Sequence, residues 1–289
     1  VFDFEVFFLS GTMIANELAA KVSCQGARSE SGANPSWRFK MFKTFKVVAG
    51  AAALACASVS AQAAGLVVDL FDTAQAQLSD AVTGGGVIWN QVGPGAAGVI
   101  GGYRELGVEK VGGSNTNGVA KIDVSDGNLN FSTDAGTNGI GYVRWDGGTD
   151  AGVLNFNLGA NLSAFTLGNF ELLTIFADLG FTFSLTAYTN AGQYSTITLV
   201  STSHDAPTPG EASYIPLLAF NDCSFATCVG GGIDWSNVGA IEATLNLNGA
   251  RTSVDLILNQ VTATVPEPTS LALVGLALLG VGAARRRKA

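Results

Sequence analysis

Histidine is nearly missing from this chain: His204 is the one example in 289 residues. That scarcity excludes a multi-histidine metal centre and leaves a single imidazole for any Ser-His-Asp arrangement. The residue opens His204-Asp205-Ala206-Pro207-Thr208-Pro209-Gly210, a turn-rich stretch where an exposed histidine is the ordinary expectation, and no nucleophile elbow accompanies it. Charge is scarce as well, at 13% of residues, and positive charge in the middle of the chain is scarcest. Between residues 64 and 264, five Lys or Arg stand against thirteen Asp and five Glu, a formal charge of −13 that the whole-chain value of −8 conceals. Such a surface repels nucleic acid and anionic headgroups, so neither is an expected partner.

Long apolar runs are confined to the two ends. Met41-Phe42-Lys43-Thr44-Phe45-Lys46 is cationic, Val47 to Ala57 is apolar, and Val59-Ser60-Ala61 or Ala61-Gln62-Ala63 offers a small-residue cleavage site. Residues 41–63 therefore have the layout of a secretory signal peptide, which implies export through the Sec machinery. Residues 1–40, ahead of it, are expected to be disordered and to take no part in the fold, whether they reflect a misplaced start or an extended leader. Ala53-Leu54-Ala55-Cys56 is a competing, degenerate lipoprotein cleavage box, with alanine at its first position arguing against it.

At the other end, Val265-Pro266-Glu267-Pro268-Thr269-Ser270 precedes fourteen Leu, Val, Ala and Gly residues, Leu271 to Ala284, and then Arg285-Arg286-Arg287-Lys288-Ala289. As a helix the apolar run reaches only about 21 Å against a ~30 Å hydrocarbon core, a span that snorkelling arginines lengthen. The cations Arg285, Arg286, Arg287 and Lys288 favour the cytoplasmic side and leave everything before Pro266 outside. The two prolines hold the hexapeptide extended, within reach of a processing enzyme. This three-part order, over residues 265–289, resembles the PEP-CTERM sorting signal. The resemblance implies a protein exported by a Gram-negative bacterium that makes extracellular polysaccharide. It also implies passage through an inner-membrane intermediate, recognition at Val265, Pro266, Glu267 and Pro268, cleavage by an exosortase, and delivery to the cell surface or extracellular matrix. A single-pass anchor that stays in the membrane is the alternative.

The stretch from residue 64 to 264 is long enough for one sandwich-sized domain. Leu154 to Leu158, Phe181 to Tyr188 and Ile241 to Asn248 alternate apolar and polar residues at period two, as half-buried strands do. Further strands are expected from Leu66, Val87, Tyr103, Val119, Ile140, Tyr194, Tyr214 and Ser253 onward, separated by Gly, Asn, Asp and Ser clusters. Thr73 to Ala81 is the one helix candidate, and no repeat of fixed period is evident. The expected class is all-β: an antiparallel, jelly-roll-like β-sandwich, flanked by an N-terminal signal helix and a C-terminal transmembrane sorting helix. Gly101-Gly102-Tyr103-Arg104-Glu105-Leu106 and Trp235-Ser236-Asn237-Val238 weakly resemble segments of exported proteins of this sorting class.

Candidate sites are few. Cys24 and Cys56 fall in the removable N-terminal region, leaving Cys223 and Cys228 to form a disulfide in an oxidising periplasm, with a redox or zinc role as the alternative. Asp123 and Asp126, and separately Asp146 and Asp150, place oxygen donors within single turns, so calcium is the one cofactor considered; plain Asx turns are the competing account. Trp89, Trp145 and Trp235, with Tyr103 and Tyr142, offer flat faces for sugar stacking if they are not core. Eighteen carboxylates in this region leave a glycosidase open by composition, yet no paired-carboxylate strand motif is present and no enzyme is expected. The expected function is a structural or adhesive role in an exopolysaccharide or biofilm matrix, with a carbohydrate-binding module second and a carbohydrate-active enzyme third.

Overall fold

Period-two alternation resolves into fourteen strands in the computed structural model, which describes residues 65–204 and 210–265. They are β1 (Gly65–Asp69), β2 (Gln75–Asp80), β3 (Ile88–Val92), β4 (Arg104–Gly113), β5 (Ala120–Ser125), β6 (Asn128–Thr133) and β7 (Thr137–Trp145). The second half contributes β8 (Asn169–Ala177), β9 (Thr182–Asn190), β10 (Gln193–Val200), β11 (Glu211–Pro216), β12 (Thr227–Val229), β13 (Ala240–Leu245) and β14 (Asp255–Thr264). One sheet runs β11-β8-β14-β6-β5-β2, with β1 also on β14; the other runs β12-β10-β9-β13-β7-β4-β3. Every pairing is antiparallel.

Side chains on alternate positions set the two faces. Leu106, Val143, Ala243, Leu185 and Ile197 of the second sheet point inward against Phe170, Leu172, Leu129, Phe131, Ile122 and Leu256 of the first, and all are buried in one continuous core. The fold is thus an all-β, two-sheet antiparallel sandwich. Among the described residues no helix is long and apolar enough to cross a membrane. The expected signal and sorting helices fall outside the described residues.

Two local expectations are corrected, and one strand is added that the alternation did not indicate. Thr73 to Ala81 is not a helix: its backbone is taken up by β2, where Leu78 pairs with Ile122 of β5. Pairing with a neighbour outweighs weak helix propensity over so short a stretch. Leu154 to Leu158, despite its clean alternation, is a loop, because only isolated backbone contacts such as Leu158 N to Gly239 O hold it. The segment Asn169–Ala177, too uniformly apolar at its centre to alternate, forms β8 beside β14.

Charged groups inside the sandwich are all partnered. Nη1 of the fully buried Arg104 donates to both oxygens of the fully buried Asp69, at 3.1 and 3.2 Å, and its Nε donates to Gln75. Asp69 also accepts from Trp145 Nε1 and Phe71 N. Burial pushes the Asp69 carboxyl upward, opposed by Arg104 and these donors. Lys110, 1% exposed, spends its ammonium on the carbonyls of Gly118, Thr116 and Ala81.

Candidate functional site

The outer face of the second sheet gathers the polar and aromatic side chains that its inner face excludes. Register aligns Gln91, Glu105, Arg144, Glu242, Thr186 and Thr196 in one row across six strands. The adjacent row holds Trp89, Gly107, Tyr142, Thr244, Ser184 and Thr198. Beyond the first row, on the side away from Trp89, lie the paired Tyr188 and Tyr194. With strands ~4.8 Å apart and ~3.4 Å of rise per residue, the diagonal from Tyr142 to Tyr188 spans about 17 Å.

Arg144 is the centre of this face. Its Nε and Nη2 donate to Glu242 Oε2 at 2.8 and 2.7 Å, and its Nη1 donates to Glu105 Oε2 at 3.1 Å. The guanidinium carbon lies 4.4 Å from the Trp89 ring centroid, a stacking geometry. Trp89 in turn meets Tyr142 at 5.5 Å between centroids. Gly107 lies beneath the indole, where a Cβ would come within 2.8 Å of the ring, so only glycine lets Trp89 lie across the strand. At the other end Tyr188 contacts Tyr194 at 5.3 Å and Phe156 at 5.8 Å. Between the aromatic groups the floor is built of small hydroxyls, Ser184, Thr186 and Thr244, with Thr186 and Thr196 sharing a 2.9 Å hydrogen bond.

The loop after β7 walls one rim. Asp146 accepts from Gly148 N and Asn155 N, which folds the loop back so that Gln91 reaches Gly148 O and Gly152 N donates to Glu105 Oε2. Glu105 is fully buried beneath it. Burial, and then the neighbouring Asp146 carboxylate, push Glu105 up to about 7 against the opposing pull of Gly152 N–H and Arg144. Burial and the charge of Glu242 raise the Tyr188 phenol to about 12, so it remains a hydrogen-bond donor across the neutral range.

The residues singled out from sequence separate into several places. Trp89 is on this face, half-buried and partly open. Trp145 and Trp235 are corrected to core positions, 1% and 4% exposed; Trp145 hydrogen-bonds Asp69, and Trp235 packs against Phe170 and Phe220. An indole on an inward-facing position cannot be offered to a ligand. Cys223 and Cys228 form the expected disulfide. Asp123 bonds Ser125, Asn130 and Gln77 on β5, Asp126 sits in the β5–β6 turn, Asp146 is buried in its loop, and Asp150 is exposed. One aspartate pair lies on β5 and in its turn, the other in the loop after β7, and among the described residues no group of three or more His, Cys, Asp or Glu is placed to hold a metal ion. Of the sorting signal, Val265 follows β14; Pro266, Glu267, Pro268, Arg285, Arg286, Arg287 and Lys288 lie outside the described residues. Sequence reasoning missed Arg144, Glu105, Glu242, Tyr188 and Tyr194. The available signal was the alternation of Tyr142 and Arg144 with Val143, and of Glu242 with Ile241 and Ala243, which sets them on the face opposite the core.

Solved structures of similar outline are remote. A solution structure of CtCBM11 is 11% identical, covering 72% of this chain and 98% of that one with a TM-score of 0.35. The family 11 carbohydrate-binding module of the cellulosomal cellulase Lic26A-Cel5E of Clostridium thermocellum is 12% identical, over 71% and 95% of the two chains, at 0.34. The agarase AgWH50C is 11% identical over 51% of this chain and 22% of its own, at 0.33. Scores this low carry no argument about ligand or chemistry. No curated protein matches the chain. One family model does, the PEP-CTERM protein-sorting motif, over residues 264–288. The chain therefore carries, behind its β-sandwich, a C-terminal sorting motif that supports an exported, surface-associated location.

Proposed function

We propose that this is an exported surface protein whose second sheet binds a neutral polysaccharide along its outer face. The observation that carries the reading is the coexistence, on one sheet face, of half-buried aromatic rings at two ends and partly exposed polar side chains, Gln91, Glu242, Thr196 and Thr198, between and beside them, over a buried layer of Arg144, Ser184, Thr186 and Thr244. Sugar rings present apolar faces to aromatics and hydroxyl edges to paired polar groups, which is the division of labour this surface provides. Arg144 is paired with Glu242, and residues 64–264 carry a formal charge of −13, so an acidic sugar would meet like charge and a neutral polymer is favoured. A surface protein holding matrix polymer is also an adhesive one, so the structural and adhesive role is served by the same face. The jelly-roll connectivity, the Sec route and the Gram-negative inner-membrane intermediate belong to this proposal too; the motif at residues 264–288 supports its exosortase-type sorting.

Affinity electrophoresis through gels containing the producing cell's own extracellular polysaccharide tests it. Retardation is expected for the native chain and is expected to fall by about tenfold or more in apparent affinity for Trp89→Ala combined with Tyr188→Ala, given ~0.5–1.5 kcal/mol lost per stacking ring. Migration unaffected by neutral polymers of any linkage would overturn the reading.

A further inference from the structure

A polar cleft lies away from that face, between the sheets, where β11 of the first faces the end of β10 in the second. Its volume is about 150 Å³, and its walls are Thr174, Val200, Ser201, Thr202, His204, Glu211 and Ser213. Strand register explains the composition: Glu211 and Ser213 pair with Thr174 and Leu172, so their side chains share the inward direction of Leu172 at an edge where the core is incomplete. The cleft deepens toward a smaller apolar gap beside Phe181, Phe183 and Leu245, which shares Thr174, Ser201 and Ser213 with it.

His204 is fixed in this cleft and left with an unused nitrogen. Its backbone makes two hydrogen bonds to Ala177 of β8, at 2.7 and 2.8 Å, and its Nδ1 lies 3.3 Å from Glu211 Oε2. Its Nε2 is buried and has no hydrogen-bond partner among the described residues. Leaving a buried polar atom unmatched costs on the order of a hydrogen bond, so it calls for a partner within the cleft. The volume is several times what one water needs, and enough for one six-membered ring.

The wall chemistry selects the occupant. Among the described residues a metal ion would find His204 and Glu211 but no third strong ligand, and an anion would face the Glu211 carboxylate. Four hydroxyls, from Thr174, Ser201, Thr202 and Ser213, each both donate and accept, as the hydroxyls of a polyol do. We propose that this cleft is a second binding site, for a single neutral hexose unit or a polyol of that size, held by His204 Nε2 and the surrounding hydroxyls. It stands independently of polymer binding on the sheet face.

Because His204 is the chain's one histidine, its ring nitrogens give a single, assigned pair of signals in a long-range proton–nitrogen spectrum. The full-length, nitrogen-15-labelled chain in a detergent without a sugar headgroup would be titrated separately with glucose, galactose, mannose, inorganic phosphate and zinc. The expected result is a saturable shift of Nε2 with at least one hexose, at a Kd on the order of a few millimolar. Glu211→Ala and Ser213→Ala should each weaken that response by roughly threefold to tenfold, while Trp89→Ala, which lies on the other site, should leave it in place. Absence of a shift with all three hexoses, or a shift with phosphate or zinc in their stead, would overturn the proposal. Loss of gel retardation alone would count against the sheet-face reading and leave this one standing.

Discussion

Single residues carry the electrostatics of this molecule, and Glu105 is the most informative. Its carboxyl titrates near 7 in the folded chain against an ordinary 4.5, because burial and Asp146 disfavour its charge more than Arg144 and Gly152 N–H favour it. A raised carboxyl stabilises the fold fully below about pH 4.5, and that contribution is lost as pH rises through about 7, by up to roughly 3 kcal/mol. The melting temperature is therefore expected to fall between pH 5 and pH 8, and Glu105→Gln, which keeps the shape and removes the titration, should flatten most of that difference. An unchanged slope in the variant would show that other carboxylates set it. Asp69 is likewise pushed upward by burial, and its pairing with Arg104 and the Trp145 indole opposes that push. None of these partners is adjacent in sequence: Glu105 and Arg144 meet across 39 positions, and Arg144 and Glu242 across 98. That is why charge counting revealed an acidic domain without revealing its charged centre.

Turns and strands were more legible, where chemistry and geometry are local. Asp126-Gly127 joins β5 to β6 with Ser125 opposite Asn128, and both turn residues have positive φ, 53° and 72°. That geometry is the two-residue hairpin turn for which Asp-Gly is suited, because glycine has no Cβ to resist the left-handed region. Nothing lies within 4 Å of the place a Gly127 Cβ would take, so Gly127→Ala tests conformation without a clash. A loss of about 1 kcal/mol is expected, read as a lower urea midpoint at unchanged slope. The strands with clean alternation and a paired neighbour, such as Phe181 to Tyr188, appear as β9. Leu154 to Leu158 has the same alternation and no ladder, and Thr73 to Ala81 has the ladder and no clear alternation. Pattern is local, whereas a strand is completed by hydrogen bonds from elsewhere in the chain.

For the whole molecule, the proposed destination and the proposed binding belong to separate segments. The sorting motif at residues 264–288 follows directly after β14, so the proposed processing would act at the border of the sandwich. Deleting residues 266–289 is expected to change both the cellular location and the mass of the recovered protein relative to the native chain, measured by fractionation and intact-mass spectrometry. Identical location and processed mass in the two would remove the proposed itinerary. The domain's −13 charge, by contrast, stays with the sandwich and keeps it away from polyanions wherever it is delivered.

The sequence by itself determined the all-β class, the Cys223–Cys228 bridge and the sorting motif. Each depends on residues close together along the chain: alternation over a strand, a short apolar run, two cysteines five positions apart. Only the tertiary structure decided which tryptophans are core and which is surface, and that Arg144 joins Glu105 and Glu242 beside Trp89. It also decided that His204 leaves a nitrogen unmatched between the sheets. Those outcomes depend on which strands become neighbours and on which face each side chain lands. That choice is made by burying one continuous apolar core, and it leaves no mark in any short stretch of residues.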